Sequence, residues 1–251
     1  MRAGNGMPEG PSIVILKELL KDFKGRRIRA AEGSTQKIDI QALNGQTIVD
    51  FKSWGKHFLI CLSKFTIRIH LLMFGTYRIN EGKDATPRLR LVFSDNEEIN
   101  FYACAIERID KDLNEVYDWS ADVMNRKYDT RRANAKLRAQ PETLVCDAIL
   151  DQNIFAGAGN IFKNEVLFRI KVHPLTKVGA LPDRKRRELV KEVVHYGKDF
   201  LKWKKKFVLR KHWEAHTKRT CPRDGNKFIK DYLGKTQRRS FYCEVCQVRW
   251  D

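Results

Sequence analysis

Apolar residues recur at helical spacing directly after Pro11 (Ile15, Leu16, Leu19, Leu20, Phe23), and the pattern stops at Gly25. That spacing predicts an amphipathic helix with proline in its first turn and glycine closing its C-terminus. From Arg26 to about Cys104 the period shortens to two. TIRIHL, HFLICL and RLRLVF alternate apolar with other residues, and EGST, NG and EGKDATP interrupt them. This half predicts several short antiparallel strands, a β-sandwich carrying one N-terminal helix. From about Lys127 the strand pattern ends. PETLVCDAILDQNIF reads as a helix, AGAGNIFKNEVLFRI as a turn and a second helix, and LPDRKRRELVKEVVHYGKDFLKWKKK as a third, starting at Pro182 and Asp183. Leu189, Val190, Val193, Val194 and Leu201 give the third helix its apolar stripe. The C-terminal stretch returns to a turn-rich β pattern around its cysteines.

Composition changes the picture in two ways. The chain has 251 residues, 42% of them hydrophobic, which suits two cored domains and a small appendage and excludes wholesale disorder. No run reaches the length of a membrane span and no basic-then-apolar leader is present, so an intracellular protein, cytoplasmic or nucleoid-associated, is expected. Lys and Arg number 49 against 31 Asp and Glu, a net charge of +18. Such a surplus gathers phosphates and does not choose DNA over RNA. Of six cysteines, Cys61, Cys104 and Cys146 stand alone in apolar settings and read as small buried hydrophobes. Cys221, Cys243 and Cys246 cluster near the C-terminus with metal-ligand spacing.

Two stretches carry chemistry. In AGAGNIFKNE, Gly157 and Gly159 lead into a helix whose first residue is near Asn160. Glycines allow close backbone approach, a helix start attracts an anion, and the Asn160 amide can donate to the same phosphate; an ordinary helix–turn–helix connection is the alternative. In the C-terminal module, Cys221-Pro-Arg-Asp224 is followed after 18 residues by Cys243-Glu-Val-Cys246. A zinc site of three cysteines and Asp224 is expected, with His216 the competing fourth ligand and a metal-poor remnant the third alternative. GKTQRRSFY would form the arms of a β-hairpin held at its base, with Arg238 or Arg239 near a tip or flank.

Together these features resemble the formamidopyrimidine-DNA glycosylase / endonuclease VIII family over nearly the whole chain from Met7. MPEGP, WGKHFLI, HLLMFG, DQNIFAGAGNIFKNEVLFRIKVHP and RRSFYCEVCQ carry the resemblance. NFYACAIERID lacks the Arg-Phe-Gly loop of the 8-oxoguanine branch and looks more like the endonuclease VIII branch, which prefers oxidised pyrimidines. The resemblance implies an α+β multidomain chain. Residues 1–6 would be an extension, 7–125 the catalytic β-sandwich with its N-terminal helix, 126–215 a helix-two-turn-helix domain, and 216–251 a zinc-finger hairpin.

It also implies a bifunctional DNA glycosylase/AP lyase, monomeric, acting on damaged double-stranded DNA held in a cleft between the domains, away from membranes, with one structural zinc ion. Pro8 would be the nucleophile once its nitrogen is a free amine, and Glu9 the proton-transfer carboxylate. Taken alone, that pair would read as a helix N-terminus. Lys56, Asn160 and Arg238 would hold one phosphate, with Lys56 assisting catalysis. Leu72, Met73 and Phe74 would fill the gap left by the everted nucleotide; three core residues of a strand is the alternative. Ser12 stands where the family usually has Glu. Met7 is the expected working start, because an amide nitrogen cannot form an iminium. A non-catalytic DNA-binding protein of the same architecture is the rival reading, and a structural RNA-binding protein the third.

Overall fold

The computed structural model of the protein describes residues 8–251. The extension 1–6 and the expected start at Met7 lie outside the described residues. The chain divides after Tyr117 into two compact units.

The first unit opens with α1 (Gly10–Leu19), which has proline in its first turn, and a 3-10 turn (Lys21–Phe23) continues it. Gly25 takes φ +82°, the left-handed conformation that closes such a turn and favours glycine. Six strands follow: β1 (Ala30–Glu32), β2 (Ile48–Trp54), β3 (His57–Leu62), β4 (Thr66–Ile79), β5 (Leu89–Val92) and β6 (Glu98–Ile109). A short helix, α2 (Leu113–Val116), precedes Tyr117. The strands form one antiparallel sheet in the order β1-β5-β6-β4-β3-β2.

The long β4 and β6 belong to both layers of the sandwich. Their outer halves pair with each other and with β3 or β5 on either side of an irregularity at Leu71/Thr76. The sheet curls there, so that Phe58 on β3 meets Phe101 on β6 with ring centroids 6.0 Å apart, although β4 lies between the two strands. Ile13, Leu16 and Leu20 complete this core, and α1 lies against β2 and β3. Alternation places a buried row on β5 and on the first half of β4, as the two-residue period predicts, whereas β3, expected to alternate, is buried at every position from Phe58 to Leu62.

The second unit holds α3 (Thr130–Arg138), α4 (Val145–Ala148), α5 (Asn160–Arg169), α6 (Asp183–Lys205) and the hairpin β7 (Ile229–Leu233) and β8 (Arg238–Tyr242). The sequence places α5 and α6 at their observed starts. It does not place α3, whose exposed face is polar; its buried residues are Ala133 and Leu137, and Asp129 caps it through the N–H groups of Arg131 and Arg132.

The helix expected over PETLVCDAILDQNIF is corrected to the single turn of α4 followed by turns. Side chains there compete for the backbone. Gln152 donates to the carbonyls of Leu150 and Ala158 and accepts from Gly157 N–H, and Asp151 accepts from Asn153 N–H. The expected arms are corrected too: GKTQ is the turn of the hairpin, RRSFY is one arm, and IKDYL is the other. The α5–α6 core is aromatic, with Phe162 edge-on to Tyr196 at 5.1 Å and stacked near Phe200 at 5.7 Å. Among the described residues no helix is long and apolar enough to cross a membrane.

Candidate functional site

In the first unit, Pro8, Glu9 and Gly10 are all buried where the chain turns into α1. Glu9 stands at the N-cap with an extended backbone, and its carbonyl accepts the first helical bond from Ser12 N–H at 2.8 Å. Its carboxylate does not cap the helix, yet the residue is 1% exposed. A buried carboxylate that leaves the helix N–H groups alone is not explained by helix initiation. The Ser12 hydroxyl is also buried and has no hydrogen-bond partner among the described residues.

Lys56 sits in the tight turn between β2 and β3. Gly55 takes φ +54°, and Trp54 pairs with His57 across the turn. The Lys56 carbonyl lies 3.3 Å from His70 Nδ1, and His57 Nδ1 lies 3.2 Å from the Tyr117 hydroxyl. An Arg68–Glu107 ion pair and ring contacts from Trp54 to His57 and Tyr117 enclose this group.

Burial, then the charges of Arg68, His70 and Lys56, push the His57 imidazole down to about 3, and burial lowers His70 as well. These bases are depressed in the folded state, so their stability contribution is complete above the unfolded value near 6.5 and shrinks as pH falls from there toward 3. His57 alone is expected to cost this unit about 2 kcal/mol at pH 5. Melting at pH 7 and pH 5 measures it. His57→Gln should flatten the difference by about that amount, and an unchanged difference would remove His57 as its source.

Leu72, Met73 and Phe74 owe their exposure to a break in the ladder. Leu71 pairs with Cys104 and Thr76 with Tyr102, so four residues of β4 stand opposite one of β6. Leu72, Met73 and Phe74 are ejected and are 48%, 57% and 80% exposed, which is not the burial of core strand residues. Gly75 lets the bulge fold back, since a Cβ there would lie 2.7 Å from Leu72 N and 2.8 Å from the Ala103 carbonyl. Ala103 itself is drawn to φ +46°.

In the second unit, Gly157 takes φ +99° and α5 begins at Asn160. Asn160 Nδ2 donates to the Arg239 carbonyl at 3.0 Å, while its Oδ1 is buried without a partner. An amide nitrogen has two hydrogens, so one donor is left for an anion. Arg238 opens β8 next to the turn. Its guanidinium is exposed and has no partner among the described residues, whereas that of Arg239 is held by the Tyr232 hydroxyl at 2.8 and 3.2 Å. The two candidate arginines are therefore different groups: Arg239 is engaged by Tyr232, and Arg238 is not.

Cys221, Asp224, Cys243 and Cys246 each offer one donor atom, and these atoms all lie within 4.8 Å of one another. The Cys221 and Cys246 sulfurs are 3.7 Å apart. A tetrahedral ion with Zn–S arms of about 2.3 Å sets ligand atoms about 3.8 Å apart, so the donor set fits one. Asn226 N–H, then the Cys243 thiol, holds the Asp224 carboxyl down to about 2, ionised as a ligand must be. His216 lies elsewhere: its Nδ1 is 3.1 Å from Asn164 Nδ2, and its ring packs edge-on to Trp213 and Phe241.

Sequence reading missed the groups that hold the hairpin and the segment 214–216 in this unit. Asp147 accepts from Lys235 N–H, Thr236 N–H and the Thr236 hydroxyl, clasping the β7–β8 turn. Glu165, 0% exposed, accepts from the backbone N–H groups of Glu214, Ala215 and His216. Lys163, 1% exposed, reaches the backbone of β8. The one available signal was the presence of charged residues inside KNEVLF, a stretch otherwise patterned for burial.

Two family models match the chain: the formamidopyrimidine-DNA glycosylase N-terminal domain over residues 7–104 and the formamidopyrimidine-DNA glycosylase H2TH domain over residues 120–208. DNA-(apurinic or apyrimidinic site) lyase Nei2 of Mycolicibacterium smegmatis is 28% identical over 96% of this chain and 99% of its own length. Endonuclease 8-like 2 of Bos taurus is 32% identical over 73% of this chain and 58% of its own. The chain spans between 36% and 58% of the length of the Endonuclease 8-like relatives named first among its matches. Among solved structures, Lactococcus lactis formamidopyrimidine-DNA glycosylase, non-covalently bound to DNA containing an AP site, superposes with a TM-score of 0.84. That match covers 95% of this chain and 99% of the other at 21% identity, a likeness of fold.

Proposed function

Because the chain belongs to the formamidopyrimidine-DNA glycosylase family, on its endonuclease VIII-like side, we propose that it is a base-excision DNA glycosylase with AP lyase activity that removes oxidised bases, pyrimidines foremost, from double-stranded DNA. The observation that carries the reading is the buried Pro8–Glu9 pair, whose carboxylate serves no cap.

With Pro8 unacylated, its secondary amine attacks C1′ of the damaged nucleotide. The glycosidic C1′–N bond breaks and the base leaves with the bonding pair, while Glu9 passes protons at the sugar. The attacking nitrogen loses its proton and the sugar ring opens, which leaves an iminium at C1′. Loss of the C2′ proton expels the 3′ phosphate, a second elimination expels the 5′ phosphate, and hydrolysis of the imine frees Pro8. Lys56, Asn160 and Arg238 are the phosphate-holding groups of this reading, and Leu72, Met73 and Phe74 fill the opened step. A zinc ion on Cys221, Asp224, Cys243 and Cys246 would supply a structural cross-link at the base of the β7–β8 hairpin.

Borohydride reduction tests the proposal. Protein made from Met7, with that Met removed to expose Pro8, is expected to form a covalent adduct with duplex carrying an abasic site or an oxidised pyrimidine. Protein retaining residues 1–7 is expected to form none. Absence of an adduct from the Pro8-terminal protein would overturn the reading. Salt-sensitive binding with no strand cleavage from either protein would instead favour the non-catalytic rival, which the Met7–Pro8 amide and Ser12 motivate.

A further inference from the structure

Among the described residues the β7–β8 hairpin is a sheet of two strands, so no strand covers the outer edge of β8. On one side of β8 the register runs from Leu233↔Arg238 to Ile229↔Tyr242. On the other side its partners are side chains from the first turns of α5. Asn160 Nδ2 donates to the Arg239 carbonyl at 3.0 Å. Asn164 accepts from Phe241 N–H at 3.0 Å and donates to the Arg239 carbonyl at 3.4 Å. Between them, Lys163 Nζ donates to the carbonyls of Arg238 and Arg239, each at 3.2 Å, and to the Ser240 hydroxyl at 2.8 Å.

An ammonium has three N–H donors, and here one short run of β8 supplies three acceptors. The burial matters because an ammonium taken out of water is costly unless such partners are present. At 1% exposure Lys163 cannot itself reach a DNA phosphate, although it lies beneath the two residues assigned to one. Arg238 and Ser240 fall on the same face of the strand, since side chains alternate. A grip on Ser240 and on both neighbouring carbonyls therefore fixes the position of β8 at Arg238 and its roll about the strand axis.

We propose that Lys163 is a positioning residue: it locks the Arg238-bearing strand to the helix that begins at Asn160, so that guanidinium and amide meet a backbone phosphate as one preformed unit. This rests on the reading above, in which Arg238 is a phosphate contact. Without the lock, Arg238 is no longer held at the phosphate, and most bound molecules lack that contact.

The experiment uses the full chain, a duplex carrying a tetrahydrofuran abasic analogue, and anisotropy titrations over a range of salt. Arg238→Ala is expected to weaken binding about tenfold and to reduce the salt slope by about 0.9, the loss of one phosphate contact. Lys163→Met is expected to weaken it about fivefold with the same fall in slope, and to add nothing to Arg238→Ala. A role confined to stability lowers the melting temperature and leaves the slope of the folded protein unchanged. An effect of the buried charge alone gives the same loss in both backgrounds. Either result overturns the proposal, as does native affinity for Lys163→Met. Ser240→Ala removes one of the three acceptors and guards against misfolding of the lysine variant; it should show a smaller loss that also vanishes beside Arg238→Ala. Native affinity for Arg238→Ala would instead locate the failure in the phosphate role of Arg238, and the proposal falls with it.

Discussion

Replacing Glu9 with Gln in the Pro8-terminal protein is expected to slow single-turnover base excision about a thousandfold, while binding to abasic-analogue duplex changes by less than about threefold. Gln matches Glu in shape, so the packing of a 1% exposed side chain survives. The helix survives too, because the Glu9 carboxylate contributes no cap and the bond from Ser12 N–H goes to the backbone carbonyl. What Gln cannot do is pass a proton, and a positioned acid or base commonly accelerates a reaction by about 10²–10⁴. Adduct formation on a preformed abasic site should suffer less than excision, since no base has to leave. If Glu9→Gln excises oxidised pyrimidines at the native rate, Glu9 is not the proton-transfer group.

The second large effect concerns the fold of the second unit. Glu165→Leu is expected to destabilise the unit Asp118–Asp251 by about 4 kcal/mol, a large share of the stability of a typical domain. Its carboxylate accepts three bonds from consecutive residues, Glu214 N–H at 2.9 Å, Ala215 N–H at 3.0 Å and His216 N–H at 2.7 Å. Leu leaves these donors without an acceptor in the interior, at about 1–3 kcal/mol each. Part of that loss is offset, because a buried carboxylate is itself costly. Burial already lifts the Glu165 carboxyl above its ordinary range, and the three backbone bonds pull it back only in part. Glu165→Gln keeps one acceptor oxygen and should cost about half as much. Urea unfolding gives the free energies, and hydrogen exchange at residues 214–216 locates the opening. A Leu variant within about 1 kcal/mol of native would mean that the segment finds other acceptors.

These two residues divide the legible from the illegible. Glu9 stands in a short local pattern, Pro-Glu-Gly-Pro before an amphipathic helix, and the helix, the two-residue strand period and the starts of α5 and α6 were readable because each depends on neighbours in sequence. The cluster of Cys221, Asp224, Cys243 and Cys246 was readable from its local spacing, and the coordinates bring those four donor atoms together and place His216 elsewhere. Reading failed where side chains serve distant backbone. The helix expected over PETLVCDAILDQNIF is broken by Gln152 and Asp151 bonding to the main chain, and Asp147 within it is spent on a turn 88 residues away.

By itself, then, the sequence determined the periodic elements, their order, the cluster of metal donors and the family to which the chain belongs. Only the tertiary structure decided that Leu72, Met73 and Phe74 leave the ladder, that Arg239 and not Arg238 is held by the Tyr232 hydroxyl, and that Lys163 and Glu165 are buried. Periodicity reports which face of an element meets apolar surroundings. It carries no record of which unpaired carbonyl or N–H, far along the chain, a buried charge must satisfy, because that pairing exists only after the elements pack.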